Sequence, residues 1–342
     1  MIIDAHAHAL DEAFLDALCR KPAFGLSAER RADGRFWVKR GERPAHSLDE
    51  NLIDVPKRIA SLARRDVDLQ LIGPPPGFVA WPGGAASVEY ARALNEHGAR
   101  VASQGEGRLE VMATLAMGEP EKCAYELERA VDLYGARSAL LPSTAGGRPL
   151  DAPAFDELFG VAERLGILLF MHPVSADEPS RFPLYGVQVL VQWPFETTLA
   201  VTRMIFEGVF DRHPGLKLLL AHGGGNLIYL KGRLNSAYEA TGWEADPYYR
   251  KNVSKAPGDY FQQIYFDTCA LSPESVEFTI RIAGADRVIF GTDYPFDIGD
   301  PEAKRALPAL KELDEESQRK IFRGNVEPIL AAARKPDKVR VA

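Results

Sequence analysis

The sequence has few of the features that mark secreted, membrane-spanning or nucleic-acid-binding proteins. Its 342 residues include three cysteines, Cys19, Cys123 and Cys269, which are too far apart for a CxxC metal or redox motif. An odd number of dispersed cysteines predicts reduced thiols and a cytoplasmic protein rather than a disulfide framework. No apolar run approaches the roughly 20 residues of a membrane-spanning helix. The N-terminus lacks the basic segment of a secretory signal.

The chain also lacks an excess of positive charge. The chain carries 41 lysines and arginines against 48 aspartates and glutamates, a net charge of −7. Without blocks of lysine or arginine, it has no electrostatic surface suited to nucleic acid or to an anionic membrane. We therefore expect the binding partner to be a small molecule.

Short apolar runs alternate with longer amphipathic patterns along the chain. Runs that are apolar throughout and rich in Val, Ile and Leu are typical of parallel strands buried on both faces. The eight runs are 1–5, 67–72, 109–115, 138–141, 167–171, 216–221, 264–267 and 287–290. The helical patterns between them are 87–104, 119–134, 153–165, 196–210, 227–240 and 273–283.

This alternation predicts an α/β fold, a (β/α)8 TIM-like barrel. We expect a single barrel domain over residues 1–334 and a C-terminal tail over 335–342. The alternative, an open doubly wound sheet, requires a glycine-rich phosphate loop after its first strand, and residues 7–9 contain no glycine.

Two segments exceed what a bare barrel needs. Residues 9–60 predict an insertion between the first and second strands, and residues 73–84 (GPPPGFVAWPGG) predict a rim loop carrying Phe78 and Trp81. Both leave the carboxyl ends of strands, where barrel active sites are built. A purely structural role for the rim loop is the alternative.

Four histidines and one aspartate fall at the carboxyl ends of predicted strands. His6 and His8 close the first strand, His172 the fifth and His222 the sixth, while Asp293 follows the eighth. Because residues i and i+2 of a strand share a face, His6 and His8 can both point into the barrel mouth. A single histidine at a strand end is usually structural. Five such groups on one rim instead favour a metal site.

One divalent ion cannot take all five groups and leave room for substrate. We expect His6, His8, His172 and Asp293 to bind a single ion, and His222 to act as the general base that activates water beside it. Zn²⁺ suits this donor set, with Mn²⁺, Co²⁺ and Fe²⁺ as alternatives. A fifth-ligand role for His222 and a binuclear centre remain open. The fourth strand ends in LLPST, without a lysine that could bridge two metals.

The other polar candidates are weaker. His46, His97 and His213 fall in loop or helix patterns and are expected to be solvated. Cys269 follows the seventh strand and could line the site, but burial as a small hydrophobic residue is favoured.

Four motifs resemble those of a known family: DAHAH at 4–8, FMHP at 170–173, AHGGG at 221–225 and GTDYPF at 291–296. They resemble the decarboxylase branch of the amidohydrolase superfamily, and within it the aminocarboxymuconate semialdehyde decarboxylases. The similarity extends to about residue 330. It implies a (β/α)8 barrel with mononuclear zinc and a homodimer. It also implies the ligand set given above, with His222 as the catalytic histidine.

The same resemblance implies residues that bind substrate. Arg43, in the tripeptide ERP, matches an arginine that binds a substrate carboxylate in the family. Phe296 matches an aromatic residue of the family's pocket. Arg233, eleven residues after the catalytic histidine, matches an arginine contributed in trans by the partner subunit. A guanidinium can bind a carboxylate through two hydrogen bonds. A solvated Arg43 and a structural salt bridge of Arg233 are the alternatives.

These residues predict a metal-dependent, non-oxidative decarboxylase (a carboxy-lyase) that acts on an unsaturated or aromatic carboxylic acid in aromatic catabolism. The alternatives are a metal-dependent hydratase or hydrolase acting on an aromatic ring-cleavage product, and a barrel that binds metal or ligand without catalysis. Residues 73–84 and 173–196 differ from the family although both are expected to line the substrate. The sequence therefore leaves the exact substrate open.

Overall fold

The computed structural model describes residues 1–41, 45–79, 83–175, 186–242 and 247–333. Within these residues the chain alternates strands and helices from one end to the other. The strands are β1 (Ile3–His8), β2 (Leu26–Arg30), β3 (Phe36–Arg40), β4 (His46–Ser47), β5 (Leu69–Gly73), β6 (Leu109–Thr114), β7 (Ser138–Pro142), β8 (Thr144–Ala145), β9 (Arg148–Pro149), β10 (Leu168–His172), β11 (Lys217–Leu220), β12 (Ile264–Asp267) and β13 (Val288–Ile289).

Eight of these strands form one sheet, in the order β1-β5-β6-β7-β10-β11-β12-β13. All the strand pairs recorded within it are parallel, and the strand order follows the chain order. Backbone hydrogen bonds join the two ends of the sheet, from Ala5 to Phe290 at 2.9 Å and from His8 to Tyr294 at 2.7 Å. The predicted (β/α)8 barrel is confirmed, and each predicted apolar run overlaps one of its strands.

The helices surround this sheet, and each predicted helical pattern overlaps at least one of them. The α-helices are α1 (Glu12–Arg20), α2 (Val55–Arg64), α3 (Ala86–Ser103), α4 (Pro120–Tyr134), α5 (Asp156–Leu165), α6 (Trp193–Phe206), α7 (Val209–Arg212), α8 (Leu227–Glu239), α9 (Tyr248–Lys251), α10 (Pro273–Ala283), α11 (Leu307–Lys311), α12 (Glu315–Arg319) and α13 (Glu327–Ala332). The pattern over 196–210 forms two helices, because Gly208 takes a φ of 71° between them. Among the described residues, no helix is both long and apolar enough to cross a membrane.

The apolar core lies on both sides of the barrel sheet. One cluster fills the barrel interior and includes Leu71, Met112, Leu140, Phe170 and Leu219. Other clusters lie between the strands and the surrounding helices. Because each strand is covered on both faces, its residues are apolar throughout rather than alternating.

Residues 9–60, the expected insertion, contain α1, the first part of α2 and a three-stranded antiparallel sheet in the order β2-β3-β4. The part of this segment around residues 46–52 lies at the carboxyl-end mouth of the barrel, where it lines a cavity. The expected tail over 335–342 lies outside the described residues.

Candidate metal centre and active site

The first barrel strand brings its two histidines into the barrel through an irregularity in pairing. Ile3 and Ala5 pack in the barrel interior. Strict alternation would send His6 and His8 to the opposite face. The pairing of β1 with β5 shifts register between positions 4 and 7, however, so both histidines also face the interior. A bulge of this kind changes the direction of the side chains that follow it.

Four buried ligand atoms converge at the barrel mouth. They belong to His6, His8, His172 and Asp293, and all lie within 4.8 Å of one another. The three Nε2 atoms and Oδ1 of Asp293 are buried without a hydrogen-bond partner outside this group; within it, Oδ1 lies 3.2 Å from Nε2 of His6 and 3.1 Å from Nε2 of His8. Leaving a buried polar atom unsatisfied is costly. Four ligand atoms that face one point fit a bound cation. Among the described residues, no other group of histidine, cysteine and acidic side chains could hold a metal ion in this way.

The opposite nitrogen of each imidazole has a hydrogen-bond partner. Nδ1 lies 2.6 Å from Oδ2 of Asp267 in His6, 3.2 Å from the Pro74 carbonyl oxygen in His8, and 2.9 Å from the Pro173 carbonyl oxygen in His172. A proton on Nδ1 that is donated to these oxygens leaves the Nε2 lone pair available to a metal. The tautomers therefore suit metal binding through Nε2.

The electrostatics of the group also favour a cation. Burial lowers the pKa of His8, and burial together with the neighbouring histidines lowers that of His172 well below its usual range, which keeps both imidazoles neutral. Burial also acts to lower the pKa of His6, yet the nearby Asp293 and Asp267 raise it to about 10. Burial acts to raise the pKa of Asp293, but the histidines, His6 foremost, hold it well below its usual range. A positive charge is therefore stabilised between the carboxylates.

His222 stands beside this group, at the start of a 3-10 turn that follows β11. Its Nε2 lies 3.6 Å from Oδ2 of Asp293, and its ring lines the adjoining cavity. The glycines of the AHGGG motif allow the turn that begins at His222 to pack closely against Phe266 and Pro194. A Cβ at Gly224 would lie 2.6 Å from the Phe266 ring, and one at Gly225 would lie 2.2 Å from the Pro194 carbonyl oxygen.

A cavity of about 400 Å³ opens onto the group. This volume is suited to a small organic ligand. Its lining residues are His46, Ser47, Leu48, Asp49, Leu52, Pro75, Pro76, Gly77, Phe78, His172, Val189, Leu190, Trp193, Pro194, His222, Leu271, Asp293, Phe296 and Ile298. The walls are mainly apolar, and the polar groups of His172, His222 and Asp293 are gathered at one end. Among the described lining residues there is no lysine or arginine.

The candidate substrate-binding residues lie in different places. Phe296 lines the cavity, with its ring centroid 5.4 Å from that of His8. Arg233 lies on the exposed side of α8 and does not line the cavity of its own chain. Phe78 lines the cavity, whereas Trp81 and Arg43 lie outside the described residues.

Three residues of the site were not predicted from the sequence. Asp267, the hydrogen-bond partner of His6, ends β12, so the rule that picked the histidines at strand ends could have found it. Trp193 lines the cavity and packs edge-on against His172, at 5.7 Å between ring centroids. No sequence signal identifies it. His46, expected to be simply solvated, is exposed but forms part of the cavity lining.

The other two histidines also differ from the expectation of a solvated side chain. His213 is 7% exposed, with Nε2 3.1 Å from Oδ1 of Asp156. His97 is half-buried and pairs with Asp11 at 2.7 Å. In both cases an acidic side chain distant in sequence supplies the partner, so the local pattern could not show it. Cys269 is fully buried, as expected, and burial raises its pKa well above its usual range.

Comparison with known proteins gives the family. A family model described as amidohydrolase matches residues 3–329. The chain belongs to the amidohydrolase family. This family member is 31% identical over 335 residues to a 2-amino-3-carboxymuconate-6-semialdehyde decarboxylase of Dictyostelium discoideum, covering 94% of this chain and 89% of the relative. It is 28% identical over 235 residues to a gamma-resorcylate decarboxylase of Rhizobium radiobacter, covering 65% of this chain and 70% of the relative.

Solved structures share the fold of this amidohydrolase. An IDCase of Metarhizium anisopliae superposes with a TM-score of 0.80 at 21% identity, covering 97% of each chain. The 5-carboxyvanillate decarboxylase of Sphingomonas paucimobilis gives a TM-score of 0.77 at 22% identity, covering 96% of this chain and 98% of the other. The predicted family is confirmed. The named relatives are decarboxylases, which favours that prediction over a hydratase or hydrolase.

Proposed function

We propose that this amidohydrolase is a metal-dependent, non-oxidative decarboxylase of an unsaturated or aromatic carboxylic acid. The observation that carries the proposal is the convergence of four buried ligand atoms, with no hydrogen-bond partner outside their own group, at the end of an apolar cavity, with a further histidine beside them. The decarboxylases among its relatives support the reaction class.

The residues that would hold the ion are His6, His8, His172 and Asp293. We propose Zn²⁺ because neutral imidazoles with one carboxylate suit it. Mn²⁺ is the competing assignment, since a dihydroxybenzoic acid decarboxylase of Polaromonas, with the same fold at a TM-score of 0.72 and 21% identity over 96% of each chain, was solved with bound manganese. When bound, the ion would supply electrostatic stabilisation of the negative charge that develops as CO₂ departs.

The reaction replaces a carboxylate by a proton: R–COO⁻ + H⁺ → R–H + CO₂. The carbon–carbon bond breaks, its electron pair stays on the substrate carbon, and that carbon takes up a proton. His222 is suited to move this proton, since its ring lines the cavity beside Asp293. It can act first as a base toward water or a substrate hydroxyl and then as the acid that protonates the carbon.

The cavity walls assist the same step. Trp193, Leu271 and Phe296 surround the space with apolar surface. An apolar environment stabilises neutral CO₂ better than a carboxylate, so it favours loss of the charged group once the substrate is bound. The flat aromatic rings also suit a planar, conjugated acid.

A cationic clamp for a substrate carboxylate is the remaining part of the proposal. Since the described lining residues include no lysine or arginine, we assign this role to Arg43 of the same chain and to Arg233 of a partner subunit in a homodimer. Arg233 is exposed on α8 and absent from the cavity of its own chain, which suits a role in a neighbouring one. Tyr229, one turn earlier, is 78% exposed, as expected for a residue that is buried only in a dimer.

A cytoplasmic location also belongs to this proposal. It is supported by the three free cysteines, of which Cys19 is exposed.

The proposal is tested by supplying the metal-loaded protein with aromatic acids and with acids from aromatic ring cleavage. We expect one CO₂ released for each substrate consumed, without uptake of oxygen or a redox cofactor. CO₂ and ultraviolet absorbance are measured together, and Asp293→Ala serves as the inactive control. Loss of substrate absorbance without CO₂ would instead indicate hydration or hydrolysis.

A further inference from the structure

A buried chain of side-chain hydrogen bonds runs between the barrel and α2, outside the catalytic cavity. Nη1 of Arg58 donates to Oε1 of Gln70 at 2.7 Å, and Nε2 of Gln70 donates to Oδ2 of Asp4 at 2.8 Å. The Thr292 hydroxyl donates to the same Asp4 oxygen at 2.6 Å. All four side chains are fully buried. We call this set the Arg58–Thr292 chain.

The Arg58–Thr292 chain contacts the backbone of both histidines of the first strand. Nη2 of Arg58 donates to the His8 carbonyl oxygen at 2.6 Å. Oδ1 of Asp4 accepts the His6 amide at 3.2 Å, within the stretch where β1 changes register. A bulge leaves backbone groups without ladder partners. The carboxylate of Asp4 therefore helps to hold the irregularity that turns His6 and His8 into the barrel.

Asp4 and Arg58 of this chain, together with the neighbouring Arg65, contact both residues that flank Asp293. The preceding residue, Thr292, is bound through its amide as well as its hydroxyl. The following residue, Tyr294, has the guanidinium groups of Arg58 and Arg65 over its ring, at 4.7 and 4.9 Å from the centroid. Asp293 itself has a φ of 60°, which is unfavourable for a residue with a side chain. Such a conformation persists when its surroundings enforce it.

Regular strand pairing is short at the barrel seam. The eighth barrel strand, β13, has two residues, and beyond it the segment that carries Asp293 follows β1 through backbone hydrogen bonds. The Asp293 amide donates to the His6 carbonyl oxygen at 2.8 Å, so the placement of Asp293 depends on the part of β1 that changes register. The Arg58–Thr292 chain supplies side-chain hydrogen bonds at this seam.

We propose that Arg58 is a positioning residue for the metal centre, and that it acts through Gln70 and Asp4 to orient His6, His8 and Asp293 together. The inference rests on the proposed metal site. A merely structural arginine would stabilise the fold without changing how tightly, or in what geometry, the site binds an ion. Metal affinity and ligand-field spectra separate these roles.

The decisive variant is Arg58→Met, which keeps an unbranched apolar stem and removes the guanidinium and its donors. Apoprotein of the parent and the variant is titrated with Zn²⁺ against a competing chelator, and Co²⁺ is added to record its visible absorption spectrum. We expect Arg58→Met to bind Zn²⁺ about 10- to 100-fold more weakly, the usual effect of losing a partner behind metal ligands. We also expect an altered Co²⁺ spectrum with native far-ultraviolet circular dichroism.

Arg137→Met is the matched control. Arg137 donates to Glu110 at 2.8 Å and to the Leu330 carbonyl oxygen at 3.2 Å, and it precedes β7 at the opposite end of the barrel from the ligands. This variant also loses an arginine that donates to both a side chain and a backbone carbonyl oxygen. Its thermal stability is expected to fall while its Zn²⁺ affinity and Co²⁺ spectrum stay those of the parent.

Two milder variants keep the inference testable if Arg58→Met does not fold. Thr292→Val removes one hydrogen bond to Asp4 at constant shape, and Arg58→Lys retains one donor; both are expected to weaken Zn²⁺ binding less than Arg58→Met. Parent-like affinity and spectra in all folded variants would overturn the positioning role. A parent protein that binds no metal would instead overturn the proposed function.

Discussion

Nδ1 of His6 lies 2.6 Å from Oδ2 of Asp267, and both side chains are buried. The other oxygen of Asp267 accepts the Gly223 amide at 2.7 Å and the Cys269 amide at 3.1 Å. One carboxylate thus fixes the ring orientation of a proposed ligand and also holds the turn that begins at His222. The metal centre and the proposed proton-transfer residue share this support.

Asp267→Asn tests that shared support. The amide keeps the shape of the side chain but loses the negative charge that faces His6. We expect metal affinity to fall by about 10- to 100-fold, and activity at saturating metal to fall as well because the turn at His222 shifts. Affinity is measured by chelator competition and activity by CO₂ release. Parent-like metal affinity with reduced activity would restrict the role of Asp267 to the His222 turn.

The ligand assignment predicts metal content. The purified parent should contain about one divalent ion per chain, and His172→Ala or Asp293→Ala should lose both metal and activity. Elemental analysis and CO₂ release measure the two properties. Full activity of the parent after exhaustive chelation would contradict the metal-dependent mechanism.

His222→Ala is expected to behave differently from the ligand variants. Because His222 is proposed to transfer protons rather than to bind the ion, the variant should keep parent-like metal content. Its turnover should fall by about two to four orders of magnitude, the usual contribution of a general acid or base. Loss of metal together with activity would make His222 a fifth ligand.

Arg233→Ala should lose activity while retaining metal and fold. Deleting one partner of a bidentate ion pair in a partly desolvated site costs about 2–5 kcal/mol. Circular dichroism, metal analysis and CO₂ release separate this outcome from unfolding. An active monomeric parent at assay concentration would contradict the proposed contribution from a partner subunit.

A subunit-mixing experiment gives the sharper test of that contribution. Arg233→Ala and His222→Ala proteins are mixed under conditions that exchange subunits. A hybrid dimer would have one site with intact His222 and the intact Arg233 of its neighbour, so some activity should return. If hybrids form and remain inactive, Arg233 acts within its own chain or only structurally.

Asp211 predicts an acid-dependent part of the stability. Burial acts to raise its pKa, but hydrogen bonds from Ser254 and Tyr260 lower it below the usual value. A carboxyl group with a lowered pKa in the folded state stabilises that state above its unfolded pKa, about 3.9. This stabilisation is lost as the pH falls through the folded pKa. Denaturant unfolding of the parent and Asp211→Asn should therefore differ at pH 7, and the difference should shrink progressively as the pH falls below about 4; a difference that stays constant over that acid range would contradict the linkage.

The sequence by itself determined the barrel and the polar groups at its mouth. Strands buried on both faces are apolar throughout, so the eight runs could be recognised from local composition. Histidines at strand ends could then be placed on one rim, because all strands of a parallel barrel end at the same face. The AHGGG and GTDYPF motifs carried the family resemblance.

Only the tertiary structure decided what lies behind and around those groups. Asp267 binds His6 across 261 positions of sequence, and Thr292 binds Asp4 across 288, and no local pattern records such pairs. The register shift in β1 likewise depends on its pairing with β5. Side-chain periodicity predicts which residues share a face of one strand, whereas hydrogen bonding across the barrel seam depends on how distant segments pack. The sequence could therefore nominate the ligands, but only packing fixed their orientation.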